Sequence, residues 1–311
     1  MRYRTLAGIE VSALALGAAS FGGLGSARRL VGRGHGEAEA HALLDRAVAL
    51  GVTLVDTAGT YGDGASEQIL GAWLRARGAA VRHQLRIASK VGIRGGLGRA
   101  HVLAEVDRSL GRLGVEALDF YLAHVPDPAT PWDEVRRTFE LLAVRGKVRR
   151  FGVSNVSAAD LAALPDGFGV VQNQHNLLHR DDADNGVMSA CQARGLAYTA
   201  YSPLAGGLLS GAYTLEGAIP EATRIGLRRD LYAAAWTPAN ARRVARLQAE
   251  AVARAISPAG LATWWLLHDP GVTAIVMGAR GPDQLAAVID EALRLPADEA
   301  LWRTLGEARG A

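Results

Sequence analysis

Two hydrophobic rhythms alternate along this chain. Short apolar, β-branched runs stand at 13–16, 53–56, 85–90, 118–124, 148–153, 170–174, 197–201 and 273–277. Between and after them, apolar residues recur at three- and four-residue spacing over 38–50, 66–77, 100–113, 132–145, 157–164, 182–194, 239–267 and 283–293. The first rhythm predicts buried strands and the second amphipathic helices. Glycines follow several of the helical stretches, at Gly51, Gly78, Gly114, Gly146 and Gly195, where a left-handed residue ends a helix. A stretch at 5–11, turning at Gly8, reads as an N-terminal hairpin.

Eight strand-like runs, each followed by a helix-like one, imply parallel pairing through right-handed crossovers. That number predicts an α/β fold of the closed (β/α)8 TIM-barrel kind, with the short hairpin in front. The rival, a doubly wound sheet, would announce a dinucleotide site by G-x-G-x-x-G after its first strand, and the chain has no such spacing. A length of 311 residues suits one barrel domain over the whole of 1–311. The longest irregular stretches, 18–36 and 205–238, follow the first and seventh strands. They therefore belong to the face where barrel active sites lie.

Composition narrows the function classes. With 34 basic and 31 acidic residues the charge is nearly balanced, and no basic run suggests a nucleic-acid partner. No apolar stretch approaches a membrane span, and the first residues lack the pattern of a secretory signal. A cytoplasmic protein is expected, as monomer or small homo-oligomer. The single cysteine, Cys191, excludes a disulfide framework and a cysteine-cluster zinc site. Of the 34 basic residues only Lys90 and Lys147 are lysines, so the position of a lysine is informative here.

Four polar residues stand at or just beyond the ends of strands two, three and four: Asp56, Tyr61, Lys90 and His124. An ammonium at a buried strand end is costly unless a carboxylate pairs with it, and Asp56 is the candidate. Tyrosine is a weak acid at neutral pH, and a neighbouring ammonium lowers its pKa. A histidine on the next strand would aim a carbonyl oxygen at the same phenol. The set predicts a proton donor directed at an oxygen that becomes negative as hydride reaches carbon. A cluster of Arg28, Arg29, Arg33 and His35 lies after the first strand; it reads either as a solvated loop or as an element that steers an anionic ligand.

These residues also carry a resemblance. Val-Asp-Thr-Ala-x-x-Tyr-Gly-x-Gly-x-Ser-Glu (55–67), Ser-Lys (89–90), Leu-Asp-x-Tyr-Leu-x-His-x-Pro-Asp (118–127) and Gly-Lys-Val-Arg-x-Phe-Gly-Val-Ser-Asn (146–155) resemble the aldo-keto reductase superfamily. So do Val-Gln-x-x-x-Asn-Leu-Leu-x-Arg (171–180), Ala-Tyr-Ser-Pro-Leu-x-x-Gly-Leu-Leu-x-Gly (200–211) and Met-Gly-Ala-Arg (277–280). The match is collinear and covers nearly the whole chain.

The resemblance implies a barrel that binds NADP(H), favoured, or NAD(H), without a Rossmann motif. It makes Tyr61 the general acid/base, Lys90 and Asp56 its tuning pair, and His124 the residue that positions the carbonyl. By the same resemblance Ser154, Asn155 and Gln172 hold the nicotinamide carboxamide and Tyr201 stacks on its ring, with Ser20 beside them. Ser202, Leu204 and Gly206 line the pyrophosphate side, and Gly278, Ala279, Arg280 and Gln284 lie near the adenosine phosphate. Many members carry a basic residue where Gln284 stands and an asparagine where Val288 stands, which leaves Arg280 as the planar fork for a 2′-phosphate.

The implied activity is reduction of an aldehyde or ketone, with a lean toward sugars and small ketones, or the reverse oxidation. Substrate contacts are expected at Phe21, Tyr61, His124, Val125 and Trp236, with Tyr213 and Tyr232 in the same irregular stretches. Two other readings compete. One is a cofactor-binding regulatory barrel resembling the barrel subunits of potassium channels. The other is a metal-dependent hydrolase using His124, Asp56 and His175, which the missing His-x-His on the first strand disfavours.

Overall fold

The computed structural model describes residues 1–213 and 215–306. A tight reversal at Ala7 and Gly8, both at positive φ, joins β1 (Tyr3–Leu6) to β2 (Ile9–Ser12) as an antiparallel hairpin. The barrel strands are β3 (Leu14–Gly17), β4 (Leu54–Asp56), β5 (Arg86–Val91), β6 (Leu118–Ala123), β7 (Val148–Ser154), β8 (Val170–Gln174), β9 (Ala197–Tyr201) and β10 (Ala274–Met277). All pair in parallel, in chain order, and β10 closes the circle between β9 and β3. The expected (β/α)8 barrel and its hairpin are both present.

The eight strands agree with the hydrophobic runs to within a residue or two at each end. The helices are less regular than their pattern. The connecting helices α1 (Glu37–Ala49), α2 (Ala65–Arg77), α3 (Ala79–Gln84), α4 (Arg99–Leu113), α5 (Trp132–Val144) and α6 (Ala158–Ala163) come first. They are followed by α7 (Asp181–Asp184), α8 (Val187–Ala193), α9 (Arg224–Leu227), α10 (Arg229–Tyr232), α11 (Pro238–Ala253), α12 (Pro258–Leu267), α13 (Pro282–Arg294) and α14 (Glu299–Gly306).

The expected helix 239–267 is two helices. Ala255 turns left-handed, Ser257 accepts from the N–H of Gly260, and Pro258 opens a new first turn, because proline has no N–H to continue the preceding helix. The segment 182–194 divides in the same way at Gly186, whose φ is 91°. The helix-ending glycines behave as expected: Gly51, Gly78, Gly114, Gly146 and Gly195 all have positive φ.

Two apolar layers hold the fold. Outward-facing strand residues such as Leu16, Val55, Ile87, Tyr121, Val153 and Val171 pack against the helices, where Trp73, Phe139, Trp264 and Trp265 are fully or almost fully buried. Inside the barrel, Ala15, Leu54, Phe120, Val170 and Ala274 pack with Leu6 and Val11 of the hairpin. The hairpin thus fills the N-terminal floor. The opposite end, at the C-termini of the strands, is left open for chemistry.

Candidate active site

At that open end lies a groove of about 460 Å³, within the usual range for small-molecule sites. Asp56, the last residue of β4, lies opposite Gly17 on β3, and both line the groove. Tyr61 reaches it through a short turn, Tyr61–Gly64, whose Gly62, Asp63 and Gly64 are all left-handed. The turn packs closely on its neighbour: a Cβ on Gly62 would lie 2.9 Å from the Phe21 carbonyl oxygen. Tyr61 is therefore presented by a left-handed turn that Gly62 and Gly64 adopt without steric cost and Asp63 tolerates.

Lys90, on β5, is almost completely buried. Its Nζ donates to Asp56 Oδ1 at 2.5 Å, to the Thr57 carbonyl at 3.0 Å and to the Tyr61 hydroxyl oxygen at 3.4 Å. Burial opposes the ammonium, but Asp56 and Tyr61 outweigh it, so the Lys90 pKa is raised. His124 follows β6 and meets the Tyr61 ring edge-on, with centroids 5.5 Å apart. Burial, and then the charge of Lys90, hold its imidazole well below the usual histidine range, so it is neutral at pH 7.

The phenol departs from one expectation. Lys90 does pull its pKa down, but burial pushes it up more strongly and Asp56 adds to the rise, so the net shift is upward. Tyr61 therefore keeps its proton across the neutral range. Because Lys90 donates to the phenol oxygen, that proton is left for an acceptor in the groove.

The strand ends beyond are tied together by side chains. Gln172 on β8 donates from Nε2 to Asp56 Oδ2 at 2.9 Å, so its amide nitrogen already serves the ion pair. Ser154 donates to the Gln172 carbonyl at 2.6 Å, and Asn155 donates to the His124 carbonyl at 2.8 Å. Tyr201 donates to Asn155 Oδ1 at 2.6 Å. Ser154 and Gln172 are buried behind the strand ends and Asn155 is exposed, while Tyr201, Ser202, Leu204 and Gly206 form one wall of the groove. Gly278, Ala279, Arg280 and Gln284 form its far end, with Ser20 on the loop after β3. There Gln284 Oε1 accepts from the Arg280 N–H at 2.8 Å.

Two expected substrate contacts stand elsewhere. Phe21 is fully buried and packs edge-on beneath His35, with centroids 6.2 Å apart, so it has no surface to offer a ligand. Trp236 packs behind Tyr213 with centroids 6.2 Å apart and donates to the Gly217 carbonyl; of that pair it is Tyr213 that lines the groove. Val125 follows His124 directly and is partly buried. His175 is fully buried outside the barrel, bonded to Asp269 at 3.2 Å and packed on Trp265. That separates it from His124 and Asp56, so these three do not form a metal site.

Arg224 is a groove residue that the sequence reading missed. It lines the wall and lies near enough to Tyr61 for its charge to favour the phenolate. Its neighbours are committed elsewhere: Arg228 binds Asp230 and the Leu24 carbonyl, and Arg229 reaches Glu221. Nothing in the spacing of these arginines distinguishes the one that faces inward. Glu39, also on the groove, was hidden as an ordinary first-turn acid of α1.

The family model "Aldo/keto reductase family" matches residues 13–306. An L-glyceraldehyde 3-phosphate reductase of Escherichia coli is 33% identical over 264 residues, 78% of this chain and 76% of that protein. A putative voltage-gated potassium channel subunit beta of Schizosaccharomyces pombe is 31% identical over 262 residues, 78% of this chain and 75% of the relative. The solved structure of a glycerol dehydrogenase from Gluconobacter oxydans superposes with a TM-score of 0.82 at 24% identity, over 98% of this chain and 94% of that one. The barrel, the strand-end residues and the match along the sequence lead to one class. The chain belongs to the aldo/keto reductase family of oxidoreductases. No helix among the described residues is long and apolar enough to cross a membrane.

Proposed function

We propose that this protein reduces an aldehyde or ketone, of the sugar or small-ketone class, to the alcohol with NAD(P)H, and that Tyr61 is the general acid. The observation that carries the reading is the direction of one hydrogen bond. Lys90 donates to the phenol oxygen and is itself held by Asp56, so the phenolic proton faces the groove. The groove suits an extended dinucleotide. Next to Tyr61 it offers the Tyr201 ring as an aromatic wall, and farther along it the hydroxyl of Ser202 and the guanidinium groups of Arg224 and Arg280, which match phosphate oxygens. Arg280 at the far end favours NADP(H).

When bound, the reduced nicotinamide supplies a hydride to the carbonyl carbon. Tyr61 gives its proton to the carbonyl oxygen as negative charge grows there. His124, neutral, has one N–H to donate to the same oxygen and hold it against the phenol. Lys90 stabilises the phenolate left behind, and Asp56 keeps Lys90 charged and in place. We infer a cytoplasmic enzyme with a small-molecule partner, acting as a monomer or small homo-oligomer.

The test is saturable quenching of tryptophan fluorescence by NADPH or NADH, followed by turnover of a panel of aldehydes, ketones and free sugars. No saturable change with either nucleotide at sub-millimolar concentration would remove the reading. One finding favours a second reading, a regulatory barrel with little turnover: the similarity to a protein named as a potassium channel subunit. Tight nucleotide binding without turnover of any carbonyl in the panel would select it.

A further inference from the structure

The loop after β3 carries four basic side chains, and the structure separates their roles. Arg28 lies 3.9 Å from Asp63. Arg29 bonds the Leu227 carbonyl at 2.9 Å and lies 3.7 Å from Asp230. Both are thereby engaged with neighbouring loops. Arg33 differs: it lines the groove and is exposed. No acceptor or carboxylate among the described residues lies within bonding distance of it, Glu39 on the same groove included. A guanidinium that faces a ligand groove without a partner has its five donors free.

The backbone around Arg33 is fixed. The Gly22 N–H donates to the His35 carbonyl at 2.9 Å, the His35 N–H to the Ser20 carbonyl at 2.6 Å, and the Gly32 N–H to the Gly22 carbonyl at 2.8 Å. Gly34 is pressed against this ladder so closely that a Cβ would lie 2.0 Å from the Ser20 carbonyl oxygen and 2.1 Å from that of Gly23. His35 then crosses to the opposite rim. Its Nδ1 lies 3.0 Å from Ser20 Oγ and its Nε2 3.2 Å from the Arg280 carbonyl oxygen. One tautomer satisfies both contacts, with Nε2–H donating to the carbonyl and Nδ1 accepting from the hydroxyl. The loop after the first barrel strand is thus latched to the loop after the last, at the end of the groove where Arg280 and Gln284 stand.

We propose that Arg33 is a phosphate-binding arginine of the cofactor groove, and that the His35 latch holds its loop in place to contact the adenosine half of the dinucleotide. The assignment rests on the nicotinamide-dependent reading above. It adds a residue from the loop after β3 to phosphate contacts otherwise drawn from the loops after β9 and β10. A planar fork on an immobilised loop loses little freedom on binding a phosphate oxygen pair.

The experiment measures Kd for NADPH and for NADH by fluorescence titration, at low and high salt, on the wild type, Arg33→Gln and Arg29→Gln. Arg33 has no partner to lose, so Arg33→Gln should fold as the wild type does. Its affinity should fall about 10-fold at low salt, and by less at high salt because the contact is exposed. Arg29→Gln should stay within about twofold. A loss confined to NADPH places the contact on the 2′-phosphate, and an equal loss for both nucleotides places it on the pyrophosphate; either supports the proposal. Wild-type affinity of Arg33→Gln for both nucleotides, or a loss confined to NADH, overturns it while leaving the oxidoreductase reading intact. A wild type that binds neither nucleotide overturns that reading, and this assignment with it.

Discussion

Two buried polar networks share β8 and almost the same ingredients, yet only one opens to a groove. Successive residues of a strand point to opposite faces, so Gln172 and Asn173 serve different sides of the sheet. Inside the barrel mouth, Gln172 donates to Asp56, which holds Lys90, which donates to Tyr61. Outside the barrel, Asn173 donates to Asp182 at 2.7 Å and Tyr198 donates to the same carboxylate oxygen at 2.8 Å. Each network has an amide, an aspartate and a tyrosine. Burial raises the pKa of both phenols, and at Tyr198 the Asp182 charge adds to it.

The difference lies in where each phenolic proton points. Tyr198 gives its proton to a carboxylate and is sealed between the sheet and the helices. Tyr61 receives a hydrogen bond from an ammonium and keeps its own proton for the groove. Interchangeable residue types thus become a fixed strut in one place and, in the proposed function, a proton donor in the other. A single lysine makes the change.

The largest contrast should come from matched removal of the two hydroxyls. Tyr61→Phe keeps the ring and should fold and bind nucleotide, with reduction slowed by roughly 10²–10⁴-fold. Tyr198→Phe should leave kcat within about twofold and lower stability by about 1–2 kcal/mol in urea titration. Equal rate losses in the two variants would erase the distinction.

Next in size is Lys90→Arg. The ammonium fits between Asp56, the Thr57 carbonyl and Tyr61, whereas a planar guanidinium would engage the carboxylate as a fork and carry its charge off the phenol. We expect a fall of at least ~10-fold in reduction at neutral pH, with the pH profile displaced. An unchanged kcat–pH curve would show that Lys90 does not act on Tyr61.

Asp182→Asn sharpens the comparison from the other side. It should cost about 1–3 kcal/mol of stability through weakened buried hydrogen bonds and leave kcat/KM within about twofold. A tenfold loss of rate would mean that the two faces of β8 are coupled.

The smallest effect is a flat region in the pH profile. On the proposed mechanism reduction needs the phenol protonated, and its pKa is raised above 10, so activity should be lost only as pH rises through that raised value. The same mechanism needs His124 neutral, and that pKa is lowered well below 6.5, so the acid limb should appear only as pH falls through the lowered value. Between about pH 6.5 and pH 10, kcat/KM for reduction should change little. A steep limb near pH 7 would contradict both shifts.

Much of the architecture was written in the spacing. The parallel strands came from short apolar runs, because such strands are buried on both faces. The position of Lys90 was informative for a physical reason: a strand end tolerates an ammonium only beside a carboxylate. The breaks at Gly186 and at Ala255–Pro258 were harder to see, since the apolar period runs across them while the backbone turns. The loops were hardest. Phe21 and Trp236 looked like substrate contacts because they are aromatic and lie on the right face, yet one is fully buried and the other packs behind Tyr213. Arg224 and Arg228 differ in role only through the tertiary contacts of their loop. Sequence marks a loop's place, but not which of its side chains turns inward.

The hairpin that fills the barrel floor makes the molecule a vessel with one mouth. Leu6 and Val11 plug the interior, so substrate, product and exchanging protons all pass through the rim where the loops meet. For anyone recasting this scaffold, the floor is a foundation that need not be touched. Loops after β3 and β9 can be exchanged to suit another carbonyl compound while Lys90, Asp56 and Tyr61 stay seated on the strands. A chain shortened past its first twelve residues would lose that plug, expose an apolar shaft, and should aggregate before any question of activity arises.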